Sequence, residues 1–299
     1  MKVSVVIPCK DSLTLSATLR SIAIAAGRLG MNEVETIVVD SSEAPLEEPL
    51  EVREAGLKLT ILQRVLGILP ARLLGVDRAE GSWILNLDAD QVLHPDLLCE
   101  IVRSDRPAIA IPEIPPGDPA RWSHWERLVH RAHERGNHDF RVHPSLDVPV
   151  IPRAYNRELL SRAADAILDD APNRQLEKVP TRHEDTLLFS YFLRVNRLPL
   201  TAAVGFASVP IYHPIPDLPD TIRKYLRYGR DLGRETRLLG QGSMGIDTRA
   251  WRQVQRVDAV RLTRYWSPTS GLNLPGLVYD SVRGCAYLPG IIGGYLEPR

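Results

Sequence analysis

Apolar runs and amphipathic segments alternate over roughly the first 110 residues, which is the pattern of strands that alternate with helices. Residues 3–7 are mostly β-branched and end at Pro8, as in a buried parallel strand. Apolar residues then recur every three or four positions from Leu15 to Ala26. This spacing predicts a helix over 13–26 that Ser12 caps at its N-terminus.

Four more strands and two more helices continue the alternation. The predicted elements are strands over 35–40, 57–62, 83–87 and 108–111, and helices over 71–80 and 94–102. Such a succession favours an α/β fold with an open, mostly parallel sheet flanked by helices. Ligands bind such sheets beyond the carboxyl ends of the strands.

The rest of the chain is less regular. The pattern predicts helices over 120–134, 157–168 and 183–192, a strand over 201–212 and a basic helix over 220–237. Residues 136–153 resist assignment, and 273–296 is apolar but interrupted by prolines and glycines. Prolines at 214, 216 and 219 indicate a stiff linker, so a helical C-terminal extension is predicted over 216–299.

Charge and cysteine content exclude some classes of protein. The 299 residues include 37 basic and 37 acidic side chains, so the formal net charge is zero. A nucleic-acid-binding protein usually has a basic surplus, so we do not expect a nucleic-acid partner. The three cysteines, Cys9, Cys99 and Cys285, lie far apart, which argues against a disulfide framework or a cysteine zinc site.

Targeting signals and the preference for arginine over lysine give weaker expectations. The chain enters its first strand directly, without a signal-peptide core, and no run of 18 apolar residues indicates a transmembrane helix. We therefore expect a cytoplasmic protein, with association at the cytoplasmic face of the membrane left open. Only five of the basic residues are lysines, which is consistent with a thermophilic source or with a GC-rich genome.

Polar residues follow three of the predicted strands at the point where each strand ends. These sites are Cys9-Lys10-Asp11, Asp40-Ser41-Ser42 and Asp88-Ala89-Asp90. A turn after the fourth strand can bring Asp88 and Asp90 toward one cation, and carboxylates suit Mg²⁺ or Mn²⁺. The alternative is a solvated acidic turn that begins a helix.

Four stretches of the first 115 residues form an ordered set. They are Val3-Ser4-Val5-Val6-Ile7-Pro8, Ile37-Val38-Val39-Asp40-Ser41-Ser42, Ala71-Arg72-Leu73-Leu74-Gly75-Val76 with Ala79-Glu80-Gly81, and Leu87-Asp88-Ala89-Asp90. In this order and spacing they resemble the nucleotide-binding half of family 2 glycosyltransferases, which have the GT-A fold. Members transfer a sugar from a nucleotide-sugar to an acceptor, usually with inversion at the anomeric carbon.

The resemblance implies a domain division and a donor site. Residues 1–215 would be the catalytic domain, with a nucleotide-sugar-binding half over 1–115 and an acceptor half over 116–215. Asp40 would accept a hydrogen bond from the base. The structural alternatives are that Asp40 only caps a helix and that Arg72 only forms a surface ion pair. The implied contacts to a UDP- or GDP-sugar are Pro8, Asp11, Asp40, Arg72, Asp88 and Ala89.

A metal site is implied as well. Asp90 would bind Mn²⁺ or Mg²⁺ directly, Asp88 would touch the ribose or a metal-bound water, and His213 would complete the metal site or approach the diphosphate. The ion would neutralise the diphosphate leaving group. A histidine at a strand end can also be purely structural.

The acceptor half contains Glu184 and Asp185 at a predicted helix start, and these resemble the acidic acceptor motif of the family. Transfer to a hydroxyl needs a base. Asp185 is the first choice and Glu184 the second, whereas the alternative is that both only favour the helix N-terminus. Glu113 matches an acidic position that faces donor sugar or acceptor. Trp122 and Trp125 could stack on a sugar, although their helical spacing also fits a core.

The basic helix over 220–237 gives further candidates. Lys224, Tyr228 and Arg230 lie in a segment that resembles a family element after the histidine. Its cations could bind donor or acceptor phosphate, lie on anionic lipid, or form an ordinary solvated face. The apolar C-terminal stretch fits a membrane-surface hairpin or a contact between copies of the chain.

The class of acceptor is inferred from a departure from the family pattern and from the ionisation of phosphate. Family members that glycosylate dolichyl phosphate often have a metal-binding glutamine two residues after the second aspartate, whereas here Gln91 follows Asp90 directly. A phosphate acceptor is also already ionised and has little need of a base. Both points favour a hydroxyl on a lipid-linked or other glycan over a polyprenyl phosphate.

Two other classes of function compete with this interpretation. A nucleotidyltransferase on a similar sheet usually has a glycine-rich basic N-terminal loop, which 8–11 lack. A non-catalytic glycan- or lipid-binding protein could keep the fold, but the intact Asp88, Asp90 and Asp185 argue against such a loss of activity.

Overall fold

The first two strands lie inside a covered sheet. In β1 (Val3–Cys9) every residue except Pro8 is buried, and β2 (Val34–Asp40) is buried along its whole length and pairs with β1 in parallel. Burial on both faces is typical of central parallel strands. The computed structural model describes residues 1–46, 50–142, 151–170, 184–239, 266–267, 271–272 and 274–296.

Ten shorter strands follow within the described residues. They are β3 (Lys58–Gln63), β4 (Trp83–Asn86), β5 (Val92–Leu93), β6 (Ala108–Ala110), β7 (Glu113–Ile114), β8 (Ala154–Asn156), β9 (Val204–Phe206), β10 (Ile211–Tyr212), β11 (Trp266–Ser267) and β12 (Gly271–Leu272).

The helices of the described residues stand between these strands and at the C-terminal end. They are α1 (Leu15–Leu29), α2 (Leu50–Glu54), α3 (Ile68–Arg78), α4 (Leu97–Arg103), α5 (His124–Val142), α6 (Arg157–Asp170), α7 (Glu184–Val195), α8 (Leu200–Ala203), α9 (Leu218–Leu239) and α10 (Leu274–Leu296). None of them is long and apolar enough to cross a membrane.

The main sheet has seven strands in the order β3-β2-β1-β4-β8-β6-β9. Strands β3, β2, β1 and β4 are parallel, and β9 is parallel to β6. Strand β8, which the sequence did not predict, is antiparallel to both of its neighbours. The predicted α/β fold with an open, mostly parallel sheet flanked by helices is confirmed.

A second, three-stranded sheet has the order β5-β10-β7. Strand β10 is antiparallel to β5 and parallel to β7, with Ile211 opposite both Leu93 and Glu113. This small sheet therefore joins the segment that follows β4 to the segments near residues 113 and 212.

The described chain forms two compact units. The first contains residues 1–114, 151–169 and 184–214, and the second contains 115–142, residue 170 and the described residues from 215 onward. In the second unit α9 packs against α10. A Cβ atom on Gly229 would collide with the Tyr287 carbonyl, and one on Gly290 with the Leu226 carbonyl, so this close approach of two backbones requires glycine.

Two local predictions are wrong. The chain over 201–212 is not one strand but α8, β9, a turn and β10. The carboxylate of Glu100 accepts from the backbone N–H groups of Ser208 (2.9 Å) and Val209 (3.2 Å), which stabilises the turn. Ser12 does not cap α1, because its hydroxyl donates to the Ala89 carbonyl, 3.3 Å away.

The N-terminal end of the main sheet contains a buried carboxylate. Glu35 Oε1 accepts from the Ser4 hydroxyl (2.6 Å) and from the Glu80 backbone N–H (2.7 Å), and Lys58 Nζ lies 3.2 Å from Glu35 Oε2. Burial by itself raises the pKa of Glu35, but these donors and the Lys58 charge outweigh burial and leave the pKa below its ordinary value. The ionised form of Glu35 thus stabilises the fold.

We expect Glu35→Gln to lower the free energy of unfolding by about 1–3 kcal/mol at pH 7. Because the pKa of Glu35 is lower in the folded chain than in the unfolded one, the stabilisation is complete above about pH 4.3. It is lost as the pH falls through the folded value. Denaturant titrations from pH 7 to pH 3 should therefore show the variant approaching the wild type at low pH.

The matched control is Glu33→Gln. Glu33 is more exposed and pairs at 3.6 Å with Lys2, so its substitution should change the free energy of unfolding by less than about 1 kcal/mol. Equal losses for the two variants, or a difference that does not depend on pH, would contradict the assignment to Glu35.

Candidate active site

Charged side chains from separate parts of the first unit meet near the carboxyl ends of β4 and β6. Three of them follow strands β4 and β10, one begins β7, and the other four come from α3, from the residue before β8 and from the start of α7. We call this set the charged cluster, and its members are Arg72, Asp88, Asp90, Glu113, Arg153, Glu184, Asp185 and His213.

Arg72 is the buried cation of α3. Its side chain is 0% exposed, and its Nη2 atom lies 2.7 Å from Asp88 Oδ1 and 3.5 Å from Asp185 Oδ1. Glu184 Oε1 is 3.7 Å from the same nitrogen. A buried cation needs carboxylate partners, and Arg72 has them beside the Asp88 turn, so it is not a surface ion pair.

Arg153 is the second cation of the cluster, and its side chain is 12% exposed. Its Nη1 donates to Asp185 Oδ2 at 3.0 Å, while its Nη2 and Nε donate to Glu113 Oε1 at 2.8 and 3.1 Å. Nη2 also lies 3.4 Å from Asp88 Oδ2. One guanidinium therefore joins three carboxylates.

The pKa values of the carboxylates in the cluster shift in different directions. Burial acts to raise the pKa of Glu113 and of Asp88, but nearby cations, Arg153 foremost, hold both pKa values below their ordinary range. Glu184 lies deeper, and burial together with the Asp185 charge raises its pKa to about 8. At neutral pH Glu184 is therefore mostly protonated.

The turn over 88–91 is fixed by hydrogen bonds from two sides. The buried Gln91 accepts from the Asp88 backbone N–H at 2.9 Å. The Ala89 carbonyl accepts from the hydroxyls of Thr14 and Thr18, each at 3.0 Å, in addition to Ser12. The backbone of the predicted Asp-Ala-Asp motif is thus held against α1 before any ligand binds.

His213 stands directly after β10 between two carboxylates. Its Nδ1 lies 3.0 Å from Glu113 Oε2, and its Nε2 lies 3.4 Å from Asp90 Oδ2. Burial acts to lower the pKa of His213, but hydrogen bonds with Asp90 and Glu113 raise it to about 9. A protonated imidazole at this place is therefore paired with a carboxylate on each of its two nitrogens.

The residues near β1 and β2 that are predicted to contact the nucleotide-sugar lie at or close to the carboxyl ends of these strands. Asp11 has a φ of 47°, which is uncommon outside glycine, and its N–H donates to Ser42 Oγ at 2.8 Å. Asp40 is fully buried, and its carboxylate accepts from Ser42 and from the Leu46 N–H. Pro8 is the next-to-last residue of β1.

Other predicted residues lie in the second unit. Lys224, Tyr228 and Arg230 lie on α9, where Lys224 Nζ is 5.7 Å from the centre of the Tyr228 ring. Trp122 is buried and donates to the Pro116 carbonyl, and Trp125 donates to the Pro216 carbonyl. Both indoles therefore have structural partners.

Arg153 and Gln91 are the members of the site to which sequence reasoning gave no role there. Arg153 ends the stretch over 136–153 that resisted assignment, and an arginine before a three-residue strand has no periodic signal. Glutamine at 91 was noted only as a departure from a family pattern. Their positions depend on strand pairing, which the local pattern does not encode.

The described residues contain no group of three or more His, Cys, Asp or Glu side chains arranged to hold a metal ion. Asp90 and His213 nevertheless point a carboxylate oxygen and an imidazole nitrogen at each other. An oxygen and nitrogen donor pair suits Mn²⁺, and Mg²⁺ takes one or two protein carboxylates with substrate phosphates.

Comparison with known proteins identifies the family and the fold. The model of Glycosyl transferase family 2 matches residues 4–162, and no curated protein matches the chain. A mannosyltransferase from Pyrobaculum calidifontis, solved with GDP-Man and Mn²⁺, is 16% identical, with a TM-score of 0.52 over 99% of this chain and 87% of that one.

Two further solved structures have lower TM-scores. TarS from S. aureus in complex with UDP is 15% identical over 98% of this chain and 90% of that one, with a TM-score of 0.49. Glucosyl-3-phosphoglycerate synthase from Mycobacterium tuberculosis is 18% identical over 77% of each chain, with a TM-score of 0.48.

The likeness to the mannosyltransferase shows the fold, and the family match spans more than half of the sequence. The resemblance seen in the motifs of the first 115 residues is confirmed. The chain belongs to glycosyl transferase family 2, a family of glycosyltransferases.

Proposed function

We propose that this enzyme moves a sugar from a UDP- or GDP-sugar to an acceptor hydroxyl on a lipid-linked or other glycan, with inversion and with Mn²⁺ or Mg²⁺ as cofactor. Family membership supports the reaction class. The observation that carries the finer proposal is the charged cluster. In it, the Asp185 carboxylate lies between two buried arginines, near the strand end that carries Asp88 and Asp90.

The nucleotide would lie across the ends of β1, β2 and β4, in contact with Pro8, Asp11, Arg72 and Ala89. Asp40 has three donors on a carboxylate that has about four acceptor sites. It would therefore shape the base pocket by holding the loop over 41–46, with one acceptor position left for a ring N–H. Asp88, already paired with two arginines, would meet the ribose.

The residues present fit a divalent ion. The 3.4 Å between Asp90 Oδ2 and His213 Nε2 is close to the roughly 3 Å that separates neighbouring ligands on an octahedral ion with bonds of about 2.1 Å. Glu113 holds the other imidazole nitrogen, as outer carboxylates do for metal-binding histidines. Asp90 and His213 would hold the ion.

When bound, the ion would stabilise negative charge on the departing diphosphate. The Pyrobaculum calidifontis mannosyltransferase was solved with this pairing of a nucleotide-sugar and Mn²⁺. Within the described residues Asp90 and His213 are the proposed protein ligands, and an ion with so few protein ligands typically also takes substrate phosphates.

Asp185 is the better candidate for the base. Its side chain is 21% exposed against 7% for Glu184, so an acceptor reaches it more easily. Glu184, with its pKa raised to about 8, already carries a proton at neutral pH and cannot accept another. Glu184 would instead help to bury Arg72 without adding a full charge.

The proposed reaction uses Asp185 as its general base. An Asp185 oxygen takes the proton of the acceptor hydroxyl as the hydroxyl oxygen bonds to the anomeric carbon. The bond from that carbon to the diphosphate oxygen breaks on the opposite face, so the configuration inverts. The proton stays on Asp185 until solvent removes it. Glu113 would face donor sugar or acceptor, and Lys224, Tyr228 and Arg230 remain predicted contacts.

We expect Asp90→Asn to lower Mn²⁺-dependent hydrolysis of the donor by at least about 100-fold, because the substitution removes the charged ligand of the ion. The assay measures sugar release from a panel of UDP-glucose, UDP-GlcNAc and GDP-mannose with and without MnCl₂. The melting temperature should stay within a few degrees of the wild type.

Asp77→Asn is the matched control, since Asp77 is exposed on α3 and pairs only with its neighbour Arg78 among the described residues. It should hydrolyse the donor normally. Normal turnover by Asp90→Asn would remove the metal role. If the wild type releases pyrophosphate from a nucleoside triphosphate and a sugar phosphate instead, the enzyme is a nucleotidyltransferase.

Asp185→Asn should lower kcat by about 10²–10⁴-fold, the usual contribution of a general base, and leave donor binding intact. Calorimetry with UDP or GDP in the presence of MnCl₂ measures binding, and donor hydrolysis measures turnover. The amide keeps the size of the side chain but cannot accept the proton.

Asp165→Asn, on an exposed position of α6, serves as the control for a neutralised carboxylate and should behave as the wild type. Loss of nucleotide binding in Asp185→Asn would count against its role as the base. Binding without any turnover in the wild type would point to a non-catalytic binding protein, unless added glycan acceptors restore transfer.

A further inference from the structure

We infer that Arg153 is a positioning residue that holds the Asp185 carboxylate in a fixed position relative to the nucleotide-sugar side of the site. The inference rests on the proposed function, because it takes Asp185 as the base. It goes beyond that function by assigning a role to a residue outside the recognised motifs.

The backbone of Arg153 is fixed on both sides. Its N–H donates to the Ile109 carbonyl at 2.9 Å, and its carbonyl accepts from the Asn86 N–H at 2.8 Å. It thus stands where the chain before β8 enters between β4 and β6. Both partners belong to strands of the main sheet, so the sheet holds the Arg153 backbone in place.

The side chain reaches from this anchor into the charged cluster. All three guanidinium nitrogens are used: Nη1 contacts Asp185, Nε and Nη2 contact Glu113, and Nη2 also lies near Asp88. A planar fork fixes the directions of these bonds, which a lysine ammonium on a flexible stem cannot do. The side chain therefore sets position as well as charge.

A continuous series of polar contacts then links the base to the proposed metal donors. It runs from Asp185 to Arg153 (3.0 Å), Glu113 (2.8 Å) and His213 (3.0 Å), and ends at Asp90 (3.4 Å). Arg72 does not replace this link. Its Nη2 lies 3.5 Å from Asp185, and its Nε and Nη1 atoms have no hydrogen-bond partner within the described structure.

Removal of Arg153 would leave three carboxylates near each other with one fewer cation. Asp185 would then keep Arg72 as its neighbour and move away from Asp88 and Glu113, which are like charges. A displacement of about 1 Å in a reacting group costs about 100-fold in rate. The nucleotide contacts at β1 and β2 should not be affected.

The first experiment is Arg153→Gln, assayed by Mn²⁺-dependent hydrolysis of the nucleotide-sugar that the wild type turns over. We expect kcat to fall about 100-fold with the donor KM within a few-fold, the signature of an interaction needed only in the transition state. Arg153→Lys should recover little, and added guanidinium should partly rescue Arg153→Ala. Arg162→Gln, which removes an exposed cation paired with Glu158, should match the wild type.

A double-mutant cycle separates positioning from general structural damage. If Arg153 acts through Asp185, Arg153→Gln with Asp185→Asn should be no slower than Asp185→Asn alone. Multiplied losses in the double variant would overturn the inference. So would an unchanged kcat in Arg153→Gln, or a parallel loss of UDP and GDP binding.

A second measurement does not depend on turnover. Crystal structures of the wild type and Arg153→Gln should show the Asp185 carboxylate displaced by about 1 Å, with the Arg72–Asp88 pair in place. An undisplaced Asp185 would overturn the inference even if no acceptor is found. A wild type that neither binds nor hydrolyses any donor would instead defeat the proposed function, which is a different result.

Discussion

A charge removed from water is tolerated only beside an opposite charge, and this constraint governs the site. Arg72 is fully buried and Arg153 nearly so, and each is stable only because carboxylates from other parts of the chain meet it. The same pairing holds Asp88, Glu113 and Asp185 close together although they are like charges. Neither the arginines nor the carboxylates would be stable at this buried position alone, so each group holds the other in place.

Strand order makes this meeting possible. Asp88 follows β4 and Glu113 begins β7 shortly after β6, while β8 runs antiparallel between β4 and β6 and brings Arg153 to the same edge. The small sheet does the same for the metal side, because pairing of β10 with β7 puts His213 beside Glu113. Two sheets thus bring together residues that are as far apart in sequence as Asp88 and His213, and hydroxyls at the start of α1 hold the turn that carries Asp90.

Buried strands and amphipathic helices could be predicted because their signal is local. The run over 3–7 and the spacing from Leu15 to Ala26 reflect burial on faces that repeat every two or every 3.6 residues. The same reasoning failed over 201–212, where apolar residues are interrupted by a turn that Glu100 stabilises from a distant helix. Strand β8 was missed because three residues give no period, and Arg153 was missed with it.

The sequence by itself determined the α/β fold, the family and the strand-end aspartates, because apolar periodicity and motif order are properties of neighbouring residues. Only the tertiary structure decided which charges face each other. It showed that Asp40 holds its own loop, that Glu184 is buried enough to keep a proton, and that Arg153 joins Asp185 to Glu113. Burial and pairing depend on strands far apart in the chain, so no local pattern of residues can encode them.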